Sequence, residues 1–99
     1  MKEKIKRIAD HYKLDVQSRQ LNEECAELIE ANCKYLRYSE NCNPAAVDWR
    51  YLQNMCEEIA DVEIMLEQMK YLLNINPEAI EEIKVNKINR QLERIENEK

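Results

Sequence analysis

LNEECAEL, residues 21–28, returns along the chain as MCEEIADV, residues 55–62. Glu23, Glu24 and Ala26 recur as Glu57, Glu58 and Ala60, Cys25 is answered by Ile59, Glu27 by Asp61, and the outer apolar Leu21 and Leu28 by Met55 and Val62. Each copy therefore carries two carboxylates three residues apart, on adjacent rows of one helical face. At about 100° per residue counted from Leu21, Leu28 falls near −20°, Glu24 near −60° and Glu27 near −120°. Met55, Val62, Glu58 and Asp61 repeat those angles, so both copies set carboxylates on the margin of an apolar stripe. Two amphipathic helices built on these octapeptides, folded back on each other, decide the fold.

The heights agree as well. Glu27 precedes the polar break at Glu40, and Glu58 follows Pro44, by nearly the same number of residues, which is roughly 20 Å at about 1.5 Å per residue. In an antiparallel hairpin Glu24, Glu27, Glu58 and Asp61 meet at one level, where they repel one another unless a cation is bound. All-oxygen ligands point to a hard divalent ion, magnesium first, with manganese as a substitute. Spacing alone would not carry this. The chain has 20 acidic residues in 99 and five pairs at spacing three (24/27, 27/30, 58/61, 78/81 and 93/96), against about four expected by chance. The repeated flank and the place within the apolar stripe set two of the five apart, because solvated charges are not normally put there.

Around this pair the chain reads as helical throughout. Ninety-nine residues make one domain with a modest core, and the absence of Gly with only two Pro favours helix. Ile5, Ile8, Ala9 and Tyr12 mark a first helix over residues 2–13, Leu14–Val16 a junction with Asp15 as N-cap, and a second helix runs to about Glu40. Asn43–Pro44 opens a third helix to about Leu73, expected to bury Leu52, Met55, Ile59, Val62, Leu66, Met69 and Leu73; Pro77 opens a fourth to about Asn97. Short connections between these elements give an antiparallel four-helix bundle, which a second subunit would complete.

Several chemistries fall away at this stage. Without Gly neither a P-loop nor a dinucleotide-binding turn can be written. His11 is the only His, which removes HExxH and the paired Glu-x-x-His of di-iron bundles and makes a Ser-His-Asp arrangement improbable. A net charge of −5 argues against nucleic acid and anionic membranes as partners. No long apolar run or signal peptide is written, and Cys25, Cys33, Cys42 and Cys56 lack zinc spacing, so Cys25 is expected in the core and the others as reduced thiols of a cytoplasmic protein.

The fourth helix adds cations. Lys84, Lys87 and Arg90 follow at spacing three beside the apolar arc of Ile80, Ile83 and Ile88. They either snorkel over the core or face a polyphosphate held beside the metal, where Arg grips oxygen in a bidentate fashion; Lys34, two turns beyond Glu27, would join the same field. Aromatic candidates for stacking a base are Tyr12, Tyr35, Tyr38, Trp49, Tyr51 and Tyr71, and Gln17, Gln20 and Asn22 could pair with a base edge, although core packing explains the aromatics equally well.

EECAELIEANCK, with Glu24 and Glu27, and EEIADVEIML, with Glu58 and Asp61, resemble the ExxE and ExxD halves of the MazG-like all-alpha nucleoside triphosphate pyrophosphatases. KVNKINRQLERI, with Lys84, Lys87 and Arg90, is similar to the basic fourth helix of that family, and Gln20 matches a Gln often seen there, assigned to the substrate base. The likeness spans roughly residues 17–95; the stretch between Glu27 and Glu58 is long for the family and leaves the segment from Asn41 to Trp49 without an assigned role. The resemblance implies magnesium-dependent hydrolysis of a nucleoside triphosphate to monophosphate and pyrophosphate by a homodimer or homotetramer with a housecleaning role. It implies Glu24, Glu27, Glu58 and Asp61 as metal ligands and catalytic residues. The rival expectation is a non-catalytic helical bundle that binds a partner or dimerises, which would make the doubled octapeptide a coincidence.

Overall fold

The computed structural model describes residues 1–38 and 49–98. They form three helices and no strand: α1 (Lys2–Tyr38), α2 (Trp49–Leu72) and α3 (Pro77–Glu98). The expected N-cap at Asn43–Pro44, Cys42 and the turn around them lie outside the described residues.

The first two expected helices are both present within α1, joined at a kink without an intervening loop. The break falls at Lys13, whose φ of 70° and ψ of 171° lie in a region that costs a non-glycine residue on the order of 1–3 kcal/mol. Leu14–Val16 are helical, and Asp15 does not serve as the expected N-cap: its carboxylate pairs with Arg19 one turn on, at 3.3 Å. The end of α2 is a left-handed cap. Asn74 takes φ of 54°, its N–H donates to the Tyr71 carbonyl at 3.1 Å, and the Ile75 N–H reaches back to Lys70 at 2.9 Å. Asn76 then caps α3, its Oδ1 accepting the Glu78 N–H at 3.0 Å with Pro77 at the first helical position.

α1 and α2 form an antiparallel hairpin, with contacts recorded along its length. Tyr71 donates its hydroxyl to Asp10 at 2.7 Å, Gln17 Nε2 donates to Gln68 Oε1 at 2.7 Å, and at the other end Tyr38 stacks on Tyr51 with centroids 4.8 Å apart. The buried residues of α2 are Met65 and Gln68, and those of α1 are Ala9, Gln17 and Ala31. This corrects the expected core. The predicted stripe of α2 is not buried: Met55, Val62 and Met69 are half-buried, and Leu52, Ile59, Leu66 and Leu73 are exposed. The physical reason is rotation of the contact. The buried and half-buried residues of α2 include Asn54, Met55, Glu58, Val62, Met65, Gln68 and Met69, so the contact takes in one edge of the apolar stripe together with its polar margin and leaves Leu52, Ile59, Leu66 and Leu73 outside it.

α3 buries none of its residues, and only the α1–α2 pair packs closely. The described helices thus make a hairpin plus one detached helix, where the sequence reading expected four helices around one core. The molecule is correspondingly open. Its radius of gyration is 17.1 Å, against about 13 Å for a compact chain of this length. Its accessible surface is 8087 Å², against about 5,900 Å² expected of a folded monomer of this mass. None of the described helices is long and apolar enough to cross a membrane.

Candidate metal centre

The polar seam of the hairpin gathers the four repeated carboxylates. One oxygen from each of Glu24, Glu27, Glu58 and Asp61 lies within 4.8 Å of the others. Glu24 and Glu58 are half-buried, Glu27 and Asp61 exposed, which gives the cluster a closed side and an open side. Helical spacing of three places both members of each pair on the seam, and the antiparallel pairing levels them: Glu24 stands across from Asp61 and Glu27 from Glu58, each pair with i + j = 85, as Gln17 and Gln68 do.

Electrostatics at this level is unfavourable to four bare charges. Glu27 is pushed above its ordinary value by the charge of Glu24, then by partial burial and by Glu58. Asp61 is pushed up by partial burial and then by Glu24. On the closed side, Glu24 Oε2 and Glu58 Oε2 are buried without a hydrogen-bond partner. A buried carboxylate oxygen without a donor is costly, and a cation between the helices would satisfy both at once. The donor set, carboxylate oxygens alone, suits magnesium or manganese rather than a soft metal.

Gln20 lies one turn before Glu24 and donates Nε2 to Glu24 Oε1 at 2.8 Å, so it orients a carboxylate of the cluster. Lys34 lies in the same cleft of about 330 Å³ as the open side, lined by Glu27, Glu30, Ala31, Lys34, Asn54 and Glu58, with its Nζ 3.3 Å from Glu30. A second hollow, lined by Lys34, Arg50, Tyr51 and Asn54, continues from it toward the end of the hairpin. The α3 cations are not brought there. Lys84 pairs with Glu81 at 3.3 Å, Lys87 and Arg90 are exposed, and among the described residues no ion pair or hydrogen bond joins the three to the carboxylates.

Asn54 and Gln68 escaped the reading of the sequence. Asn54 was legible, since it stands four residues before Glu58 as Gln20 stands before Glu24. Gln68 gave no signal of its own, because a single amide in a charged helix ordinarily faces water. Cys25 is half-buried and Cys33 and Cys56 are exposed, all as free thiols. Of the aromatic candidates, Tyr51 lines the second hollow, while Tyr71 is engaged by Asp10, which holds its phenol proton and raises it above the ordinary value.

Comparison of the chain with models of protein families, with curated proteins and with solved structures yields no match.

Proposed function

We propose that the chain is a magnesium-dependent nucleoside triphosphate pyrophosphohydrolase, releasing a nucleoside monophosphate and pyrophosphate in the manner of the MazG-like enzymes it resembles. The observation that supports this most is the level cluster of Glu24, Glu27, Glu58 and Asp61 with two buried, unpartnered oxygens. Those four residues would hold the ion. When bound, magnesium or manganese would neutralise phosphate oxygens and acidify and orient a water for attack at phosphorus. Glu27 and Glu58 line the cleft, and one of the four carboxylates would serve as general base for that water. Gln20 keeps Glu24 turned into the cluster. Lys34 lies along the cleft, placed to bind the negative tail of the substrate, with Arg50 and Tyr51 further along toward its nucleoside end.

The bundle is completed in this reading by a second copy, as dimer or tetramer. Its support is the surface far above that of a compact monomer, the exposed stripe Leu52, Ile59, Leu66 and Leu73, and an α3 that carries Val85, Ile88, Leu92 and Ile95 at alternating spacings of three and four, all exposed. Assembly would bring Lys84, Lys87 and Arg90 onto a folded partner and so within reach of a substrate's phosphates. The protein is placed in the cytoplasm in this reading.

A screen of ribo- and deoxyribonucleoside triphosphates with magnesium, read by product analysis, tests the activity: monophosphate plus pyrophosphate is expected, and orthophosphate release would assign another reaction. The same exposed apolar stripes favour a second reading, a helical interaction protein without catalysis. Magnesium titration separates the two, since only the first predicts millimolar magnesium to raise the melting temperature.

A further inference from the structure

We propose that the buried Gln17–Gln68 pair is a register lock, and that these two amides are positioning residues that hold the four carboxylates level. The lock itself stands on the geometry of the hairpin; only its consequence for magnesium rests on the function proposed above.

Gln17 and Gln68 are 5 % and 2 % exposed, and Gln68 is the largest fully buried side chain of the hairpin. Gln17 Nε2 donates to Gln68 Oε1 at 2.7 Å, and Gln68 Nε2 turns to the Met65 thioether at 3.6 Å. A pair of Gln is an odd choice for a buried point between two helices. An apolar pair would fill the same volume without two amides to satisfy. What it could not do is choose among registers.

The apolar positions cannot choose either. Leu21, Leu28 and Tyr35 on α1, and Met55, Val62 and Met69 on α2, each recur every seven residues. Sliding one helix by seven residues, about 10.5 Å, returns each of these series nearly onto itself. The polar layers do not survive such a slide. With i + j = 92, Glu24 faces Gln68 and Ala31 faces Asp61; with i + j = 78, Gln17 faces Asp61 and Glu24 faces Asn54. Either slip parts the four carboxylates, so in the metal-free protein their repulsion favours slipping. Gln17 and Gln68 sit one heptad away from Glu24 and Asp61 respectively, on the same seam, and can meet each other only when i + j = 85. The hydroxyl of Tyr71 on Asp10 is a further contact between the two helices, but it lies beyond the break at Lys13 and is exposed, where its hydrogen bond competes with water, so it does not set this register. A buried polar pair that fixes register is a known use of such groups in helical assemblies.

The test uses the full chain and nuclear Overhauser contacts between α1 and α2, recorded without metal, with Gln17→Met, Gln68→Met and the double variant, Met being close to Gln in shape. Wild type is expected to give one set of interhelical contacts obeying i + j near 85. Each single variant strands one amide and should melt below wild type. The double variant should fold cooperatively, melt above either single variant, and show a second set of contacts displaced by seven. Its affinity for magnesium, titrated as the chloride, should fall at least tenfold. One unchanged register in the double variant would overturn the lock, and so would loss of cooperative folding, which would make the pair a prop of stability. If the double variant slips while neither protein binds magnesium, the lock stands and the metal reading falls.

Discussion

Asp61 is the residue at which stability and function are expected to part. Its carboxylate is held above its ordinary value by burial and by Glu24, so Asp61→Asn should relieve repulsion and raise the metal-free melting temperature by about 2–4 °C, while removing most of the magnesium response. For wild type that response would be about 2.7 kcal/mol at a hundredfold excess over the dissociation constant. Glu93→Gln, in an acidic pair outside the repeat, should change neither quantity, and melts of the three proteins with and without magnesium check both. Glu27 and Asp61 also fix a pH dependence. Both are raised in the folded state above the ordinary values of 4.5 and 3.8, so the folded protein binds protons more tightly than the unfolded chain. Metal-free stability is therefore highest below those values and falls as pH rises through the folded-state titrations; melts from about pH 4 to about pH 7 should show the decline, and Glu27→Gln/Asp61→Asn should flatten it. Saturating magnesium should reverse the slope, because the bound carboxylates are deprotonated. The grouping of the four acidic residues was legible because the repeat fixes angle and height together, and Lys34 because it lies two turns beyond Glu27 on the same helix. Gln17 and Gln68 were not, because the bond that makes them matter joins residues far apart in sequence.

Each helix end depends on a small number of local contacts. Asn74 occupies the left-handed position that closes α2, where a side chain that can tolerate φ of 54° is needed and the chain offers no Gly. Asn74→Ala should cost about 1 kcal/mol in urea unfolding, with the slope of the transition unchanged. Lys13 is in the opposite position, since it is the wrong residue for its backbone. Lys13→Gly removes strain of about 1–3 kcal/mol and adds unfolded-state entropy worth roughly 0.5–1 kcal/mol, so a net gain of about 1 kcal/mol is expected by the same measurement. Pro77 announced the start of α3 because its chemistry is local. The break at Lys13 falls at the end expected for the first helix, although Asp15, which looked like the cap of the second, spends its carboxylate on Arg19. The buried stripe of α2 was misplaced for a different reason: apolar spacing says which residues belong together on a face, not which neighbour that face will meet.

At the scale of the whole molecule, three helices expose more surface than a compact chain of this mass, and large apolar residues are exposed on all three, the series of α2 and α3 among them. In the oligomeric reading, sedimentation equilibrium at micromolar concentration should give twice or four times 11.9 kDa. Ile88→Glu with Ile95→Glu should return the chain toward its monomer mass while the hairpin keeps its helicity; a monomeric wild type would sink the reading. The sequence could show that every element was helical and amphipathic, but whether four stripes close on themselves or on another chain depends on loop geometry and crossing angle, which composition does not encode. The doubled octapeptide has one more consequence. Because its copies run antiparallel at one level, a local two-fold axis passes through the carboxylates, exchanging Glu24 with Glu58, Glu27 with Asp61 and Gln20 with Asn54. A centre of that symmetry presents nearly the same face from either direction, whereas a nucleotide has a head and a tail. The symmetry breaks two turns out, where Lys34 exchanges with the buried Gln68 and Tyr51 with the buried Gln17, so the sense in which a polar ligand lies along the seam is written in those unequal pairs.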